Sequence, residues 1–130
     1  MTLTATCCCG DLAIEVAGEP VLNGVCHCAN CKRRTGSAFG WSVYFPDDAM
    51  RVLRGDGELY SRESATGRQD RYFCGGCGST LYWRAAAFPG NTDVAGGCFE
   101  PGAIGEPTLT ASNDGRCAWI GLPEACHRAP

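Results

Sequence analysis

Apolar residues recur at every second position in several short runs of this chain. Leu12, Ile14 and Val16 alternate with small or polar neighbours, and Trp41, Val43 and Phe45 do the same. Residues two apart share one face of an extended strand, so this period predicts half-buried β-strands. Further runs with strand-forming residues lie at Met50–Arg54, 58–61, 70–73, 80–83 and 119–122. Helical periodicity is scarce. One helical turn is predicted over Ala29–Thr35, where Ala, Lys and two Arg favour helix and Gly36 stops it. Eighteen Gly and seven Pro punctuate the rest. The pattern predicts a mainly β fold of antiparallel sheets with little helix.

No repeat or linker interrupts the pattern, and 130 residues at 45% hydrophobic content suit one core, so residues 1–130 read as a single domain. Gly96-Gly97 and Pro101-Gly102 mark loops, and residues 125–130 read as a loose tail. Trp41, Tyr60, Phe73, Tyr82, Trp83 and Trp119 occupy strand-like positions and are expected in the core rather than in a ligand cage. A net charge of −3 with no basic stripe beyond Lys32-Arg33-Arg34 argues against nucleic acid. No apolar run reaches the roughly 18 residues of a spanning helix, and Met1-Thr2-Leu3-Thr4 does not resemble an export signal, so no membrane partner and a cytoplasmic location are expected.

Eleven cysteines change the picture. Their odd number and their clustering at metal-ligand spacing favour thiolates on metal over a disulfide framework. In Cys7-Cys8-Cys9-Gly10 the two outer thiols project to one side, leaving Cys8 as a buried or spare thiol. Cys74-Gly75-Gly76-Cys77-Gly78 is a zinc-knuckle signature, since glycine permits the tight turn that brings backbone N–H groups to the sulfurs. A redox CxxC would precede a helix, whereas residues 80–83 read as strand. The two pairs make one closed four-thiolate site from Cys7, Cys9, Cys74 and Cys77, a structural zinc.

Cys26-His27-Cys28-Ala29-Asn30-Cys31 supplies three thiols that can converge where an extended stretch bends into the helix. Three ligands leave a tetrahedral ion one open place, the mark of a catalytic zinc. His27 should face away from that metal, in a packing or supporting role, and is the fourth ligand if it does not. Seven ionised thiols less the four charges returned by two zinc ions would move the formal charge from −3 to −6. Lys32, Arg33 and Arg34 can offset that charge and attract a carboxylate-bearing thiol, or else form a solvated basic turn.

Taken together, Cys7-x-Cys9-Gly10, Cys26-His27-Cys28-x-x-Cys31-Lys-Arg-Arg-Thr35-Gly36-Ser37, Arg71-x-Phe73-Cys74-x-x-Cys77-Gly78-Ser79 and Arg116-x-x-Trp119 resemble the family of glutathione-dependent formaldehyde-activating enzymes, the Gfa-like family that includes centromere protein V. The resemblance covers nearly the whole chain. It implies a β-tent fold, Cys7, Cys9, Cys74 and Cys77 on a structural zinc, and Cys26, Cys28 and Cys31 on a second one. It also implies a carbon–sulfur lyase that joins or separates glutathione and formaldehyde. The chain departs from the family at Cys98 and Glu100, where threonine and aspartate are usual. Cys98 is expected in the core; Cys117 and Cys126 match no ligand position and read as a core thiol and a tail residue.

The expected function is a zinc-dependent enzyme of carbon–sulfur lyase type, forming or cleaving adducts of a small thiol, glutathione-like, and an aldehyde, formaldehyde-like. Two zinc ions per chain and the thiol co-substrate are the implied cofactors. No general base stands out; Glu100 and His27 are the available proton handlers. The alternative is a non-catalytic zinc module for a protein partner or for metal sensing. His27 completing the trio would favour the module, and a pocket lined by Arg33, Arg34 and Trp41 beside the trio would favour the enzyme.

Overall fold

The computed structural model describes residues 1–129. Eleven strands and one α-helix follow in chain order: β1 (Thr2–Thr6), β2 (Ala13–Ala17), β3 (Leu22–Cys26), α1 (Ala29–Thr35), β4 (Gly40–Pro46), β5 (Met50–Arg54), β6 (Glu58–Ser64), β7 (Gly67–Phe73), β8 (Thr80–Ala85), β9 (Asn91–Ala95), β10 (Leu109–Ala111) and β11 (His127–Arg128). Short 3₁₀ turns occupy Asp47–Ala49, Gly96–Cys98 and Asn113–Gly115. The fold is mainly β, as the alternation predicts. α1 has the predicted bounds because its ends are fixed locally: the Cys28 sulfur accepts the Cys31 N–H at the start, and Gly36 closes the end at φ 65°.

A small sheet runs β1-β2-β5 and a large one runs β11-β10-β3-β4-β9-β8-β7-β6. Pairing is antiparallel, except that β10 lies parallel to both β3 and β11. Ala5, Leu12, Ile14 and Val16 from the first sheet and its approach meet Val43, Phe45, Leu81 and Val94 from the second in one core. Burying each such large side chain contributes about 1.5–3 kcal/mol, and the core thereby joins β2, β4, β8 and β9. The turns leading into β2 and β8 carry Cys7, Cys9, Cys74 and Cys77, while Cys26, Cys28 and Cys31 lie where β3 passes into α1. Among the described residues no helix is long and apolar enough to cross a membrane.

Several expectations are corrected. Residues 119–122 form no strand: Ile120 N–H closes a turn on the Cys117 carbonyl and the Arg116 guanidinium holds the Ile120 carbonyl at 2.6 Å. Trp119 is consequently 77% exposed. Tyr60 is also exposed, because β6 is an edge strand, and the Arg71 guanidinium covers one face of its ring. The tail is tied down as far as Ala129, since His127 and Ala129 donate to the carbonyls of Thr108 and Thr110; Pro130 lies outside the described residues. That pairing buries Cys126, while Cys117 is only half-buried, the reverse of the expected roles. Cys8 is exposed, so it is a spare thiol and not a buried one.

Candidate metal centres

The chain folds its cysteines into two groups. The sulfurs of Cys7, Cys9, Cys74 and Cys77 all lie within 4.8 Å of one another, and those of Cys26, Cys28 and Cys31 do likewise. These are the residues that the spacing singles out, and each group can hold a metal ion.

Two matching turns build the group of four. In the first, Gly10 at φ 86° returns its N–H to the Cys7 carbonyl, and Leu12 N–H reaches the Cys7 sulfur at 3.2 Å. In the second, Gly78 at φ 79° returns its N–H to the Cys74 carbonyl, and Cys74 N–H donates to the Ser79 carbonyl. Side chains at those φ values are strained, which is why each turn ends in glycine. Ser79 staples the turns together: its hydroxyl oxygen accepts the Cys8 N–H at 3.2 Å and lies 3.3 Å from the Cys77 sulfur. The Ser79 hydroxyl, joined by backbone N–H groups, holds the Cys77 thiol down to about 5. Cys7 and Cys74 are buried whereas Cys9 and Cys77 face outward. β8 follows the second turn and no helix does, which removes the redox reading of this CxxC.

The group of three forms where β3 ends and α1 begins. Cys26 closes β3, Cys28 caps α1, and Cys31 lies in its first turn. A hydrogen bond with the Cys31 side chain, aided by other donors, holds the Cys26 thiol down to about 5, and the partner's interaction with Cys26 pushes Cys31 up. His27 does not join them. Its ring is fully buried, with Nε2 3.0 Å from the Thr110 hydroxyl and the ring tilted against Phe39 at 5.9 Å. It packs behind the group, as strand alternation predicts.

The basic run divides its roles. Lys32 donates to the Gly115 carbonyl, Arg33 is exposed, and Arg34 turns inward to stack on Trp83, its guanidinium carbon 4.0 Å from the ring centre. Gly40 makes room for this arrangement: a Cβ there would stand 2.7 Å from Arg34 Nη2 and 3.0 Å from Cys31 Cβ. Burial lowers the Arg34 pKa, and the negative charge of Cys31 opposes that fall. A cavity of about 460 Å³ opens beside Arg34 and Trp41 and reaches Cys77 and Ser79 of the four-sulfur group. Neither Arg33 nor the three sulfurs of the smaller group line it.

Sequence reasoning missed Asp93. It sits on β9 across from Tyr44 and Trp83, and the three side chains share the sheet face over which Arg34 lies. Burial raises its carboxyl to about 7, against the Trp83 indole hydrogen bond and the Arg34 charge. A neutral carboxyl therefore carries stability that is whole below its ordinary value near 3.8 and is lost as pH rises through about 7. Urea melts should show the parent chain losing stability relative to Asp93→Asn across that window. Parallel pH curves for the two proteins would contradict the assignment.

Cys98, half-buried against the core, has its thiol pushed up to about 11 by burial, the behaviour of a packing residue.

Fold and thiol geometry define a small, mainly β protein with two cysteine groups able to hold metal ions. The chain belongs to the glutathione-dependent formaldehyde-activating enzyme family, whose description matches it over residues 2–112. A crystal structure of a Rhodobacter sphaeroides protein is similar to it, with a TM-score of 0.60 and 25% sequence identity, covering 76% of this chain and 89% of that one.

Proposed function

We propose that residues 1–130 form a single Gfa-like zinc-binding domain that works as a carbon–sulfur lyase, making or cleaving the adduct of a small glutathione-like thiol and a formaldehyde-like aldehyde. The observation that carries this reading is a trio of converging sulfurs with His27 turned away, joined through Arg34 to an open cavity. All-sulfur donor sets suit a soft borderline ion such as zinc. The donors here also have the support a thiolate needs: backbone N–H groups reach the sulfurs of Cys7 and Cys28.

Cys7, Cys9, Cys74 and Cys77 would hold the structural zinc, and Cys26, Cys28 and Cys31 the catalytic one. The second ion, when bound, supplies a soft cationic centre that favours deprotonated thiol near neutral pH. The chain's own residues select and hold the substrate. Arg34, stacked on Trp83, presents a fixed guanidinium to a carboxylate in the cavity. The hydroxyls of Thr35 and Thr80 offer neutral hydrogen bonds, while Phe39 and Trp41 form the apolar wall that limits water. Gly96 lets that wall close, because a Cβ there would meet the Trp41 indole at 2.2 Å. The Trp41 Nε1–H donates to Asn23 at 2.7 Å and fixes the ring. Small thiol and aldehyde are the partners in this reading, and a reducing cytoplasmic setting suits eleven thiols.

Exchange NMR on zinc-loaded protein with glutathione and formaldehyde tests the proposal. Adduct exchange faster than the protein-free control is expected; equality with that control, for other thiols and aldehydes too, removes the enzyme. Arg34→Gln should weaken binding of a carboxylate-bearing thiol about tenfold, as loss of a charged hydrogen bond does. A neutral thiol such as mercaptoethanol should bind equally to both proteins.

A further inference from the structure

Nine glycines take up positive φ, and Ser112 is the one non-glycine residue among the described residues to do so, at φ 55° and ψ 46°. Glycine or asparagine serves such a position better on conformational grounds, so the serine side chain calls for another reason. Its hydroxyl oxygen lies 3.7 Å from the Cys26 sulfur. We propose that Ser112 is a positioning residue that holds the Cys26 thiolate in place within the trio, an inference that rests on the metal reading of that trio.

The surrounding chain presents the hydroxyl from a fixed frame. Parallel pairing of β10 with β3 sets Ala111 opposite Cys26, and His27 N–H donates to the Ala111 carbonyl at 3.1 Å. A strand continuing straight would carry residue 112 onward along the sheet; the left-handed turn instead places its side chain on Cys26. Gly115 N–H returns to the Ser112 carbonyl at 3.1 Å, and the Lys32 ammonium binds the Gly115 carbonyl, fastening the turn to α1. Gly115 must lack a Cβ, which would stand 2.6 Å from the His27 carbonyl oxygen. Asn113 braces the other side through the carbonyls of Thr110 and Ala129, both at 3.1 Å.

The Cys26 thiol donates to the Ser112 oxygen, and once the sulfur is ionised the hydroxyl turns to donate to it, which fixes the sulfur's rotamer and draws off part of its charge. Removing such a supporting partner typically costs about 10- to 100-fold in metal affinity. Cys26 is the trio member with most need of it. Cys28 is fixed by its place at the helix start and Cys31 by the helix itself, whereas Cys26 stands at a strand end.

The test is NMR of the cadmium-loaded protein, which separates the two sites by their number of sulfur ligands, combined with zinc competition against a chelator. Ser112→Ala keeps the strained backbone without the hydroxyl, and Ser112→Gly removes both hydroxyl and strain. In each variant the trio resonance should move and trio zinc affinity should fall about tenfold, with the four-sulfur resonance unmoved. The glycine variant should melt no lower than the parent, and it decides the matter if the alanine variant does not fold. An unmoved trio resonance with parental affinity in the glycine variant would overturn the role of Ser112. A parent chain giving only the four-sulfur resonance would overturn the metal reading of the trio along with it.

Discussion

Cys28→Ser is expected to bring adduct exchange down to the protein-free rate, a loss of at least about 100-fold given that outer partners alone cost about 10- to 100-fold, while the fold persists. The reasoning combines two properties of one atom. The Cys28 sulfur is one of the three convergent donors, and it also caps α1 by accepting the Cys31 N–H at 3.4 Å. Serine is among the best residues for such a cap, so the helix keeps its start while the group loses a thiolate. Far-UV circular dichroism and the melting temperature should stay near parental values, because the trio is only half-buried and outside the main core. Activity retained by a protein shown to have lost its second metal would refute the assignment of Cys26, Cys28 and Cys31.

Cys74→Ser is expected to do the opposite damage and abolish the cooperative fold at 25 °C. Structural zinc contributes apparent folding free energies of about 10–16 kcal/mol in small peptides, against a total stability of about 5–15 kcal/mol for a domain. Cys74 is also 4% exposed and part of the core cluster, so the substituted hydroxyl would be buried among apolar neighbours. A strong chelator should reproduce the effect on the parent chain, followed by near-UV circular dichroism. A folded, metal-free protein melting within a few degrees of the parent would show that the four sulfurs do not hold the fold together.

How far the amino-acid order alone leads can be judged from particular elements. β2, β4 and β5 were legible because one face of each is apolar or their ends carry clear turn residues, and α1 because both caps are local. β3 and β9 were not. β3 buries Asn23 and Gly24, and β9 buries Thr92 and Asp93, so no alternation marks them. Asn23 and Thr92 find their partners far off in sequence, at the Gly105 carbonyl and at Asp47, while one carboxyl oxygen of Asp93 is buried without a partner. Period-two patterns detect strands that separate oil from water, and interior strands with polar side chains escape them. The cysteine groups were readable because sulfur spacing within each turn is a local property. Ser79, Trp83, Asp93 and Ser112 act across strands, and only the Ser79 position in Cys-Gly-Ser gave any hint. The 119–122 run misled because β-forming residues become a strand only where a neighbour offers an open ladder edge.

The order in which the molecule is synthesised adds a last consequence. Cys26, Cys28 and Cys31 leave the ribosome well before Ser112, since the turn that braces Cys26 lies 86 residues downstream of it. At about 5–20 residues per second, several seconds pass before that support exists. During that interval the nascent thiols are open to scavenging metals, oxidants and one another. Expression yield should therefore respond to zinc supply and to cellular reductant during translation more than to either one afterwards.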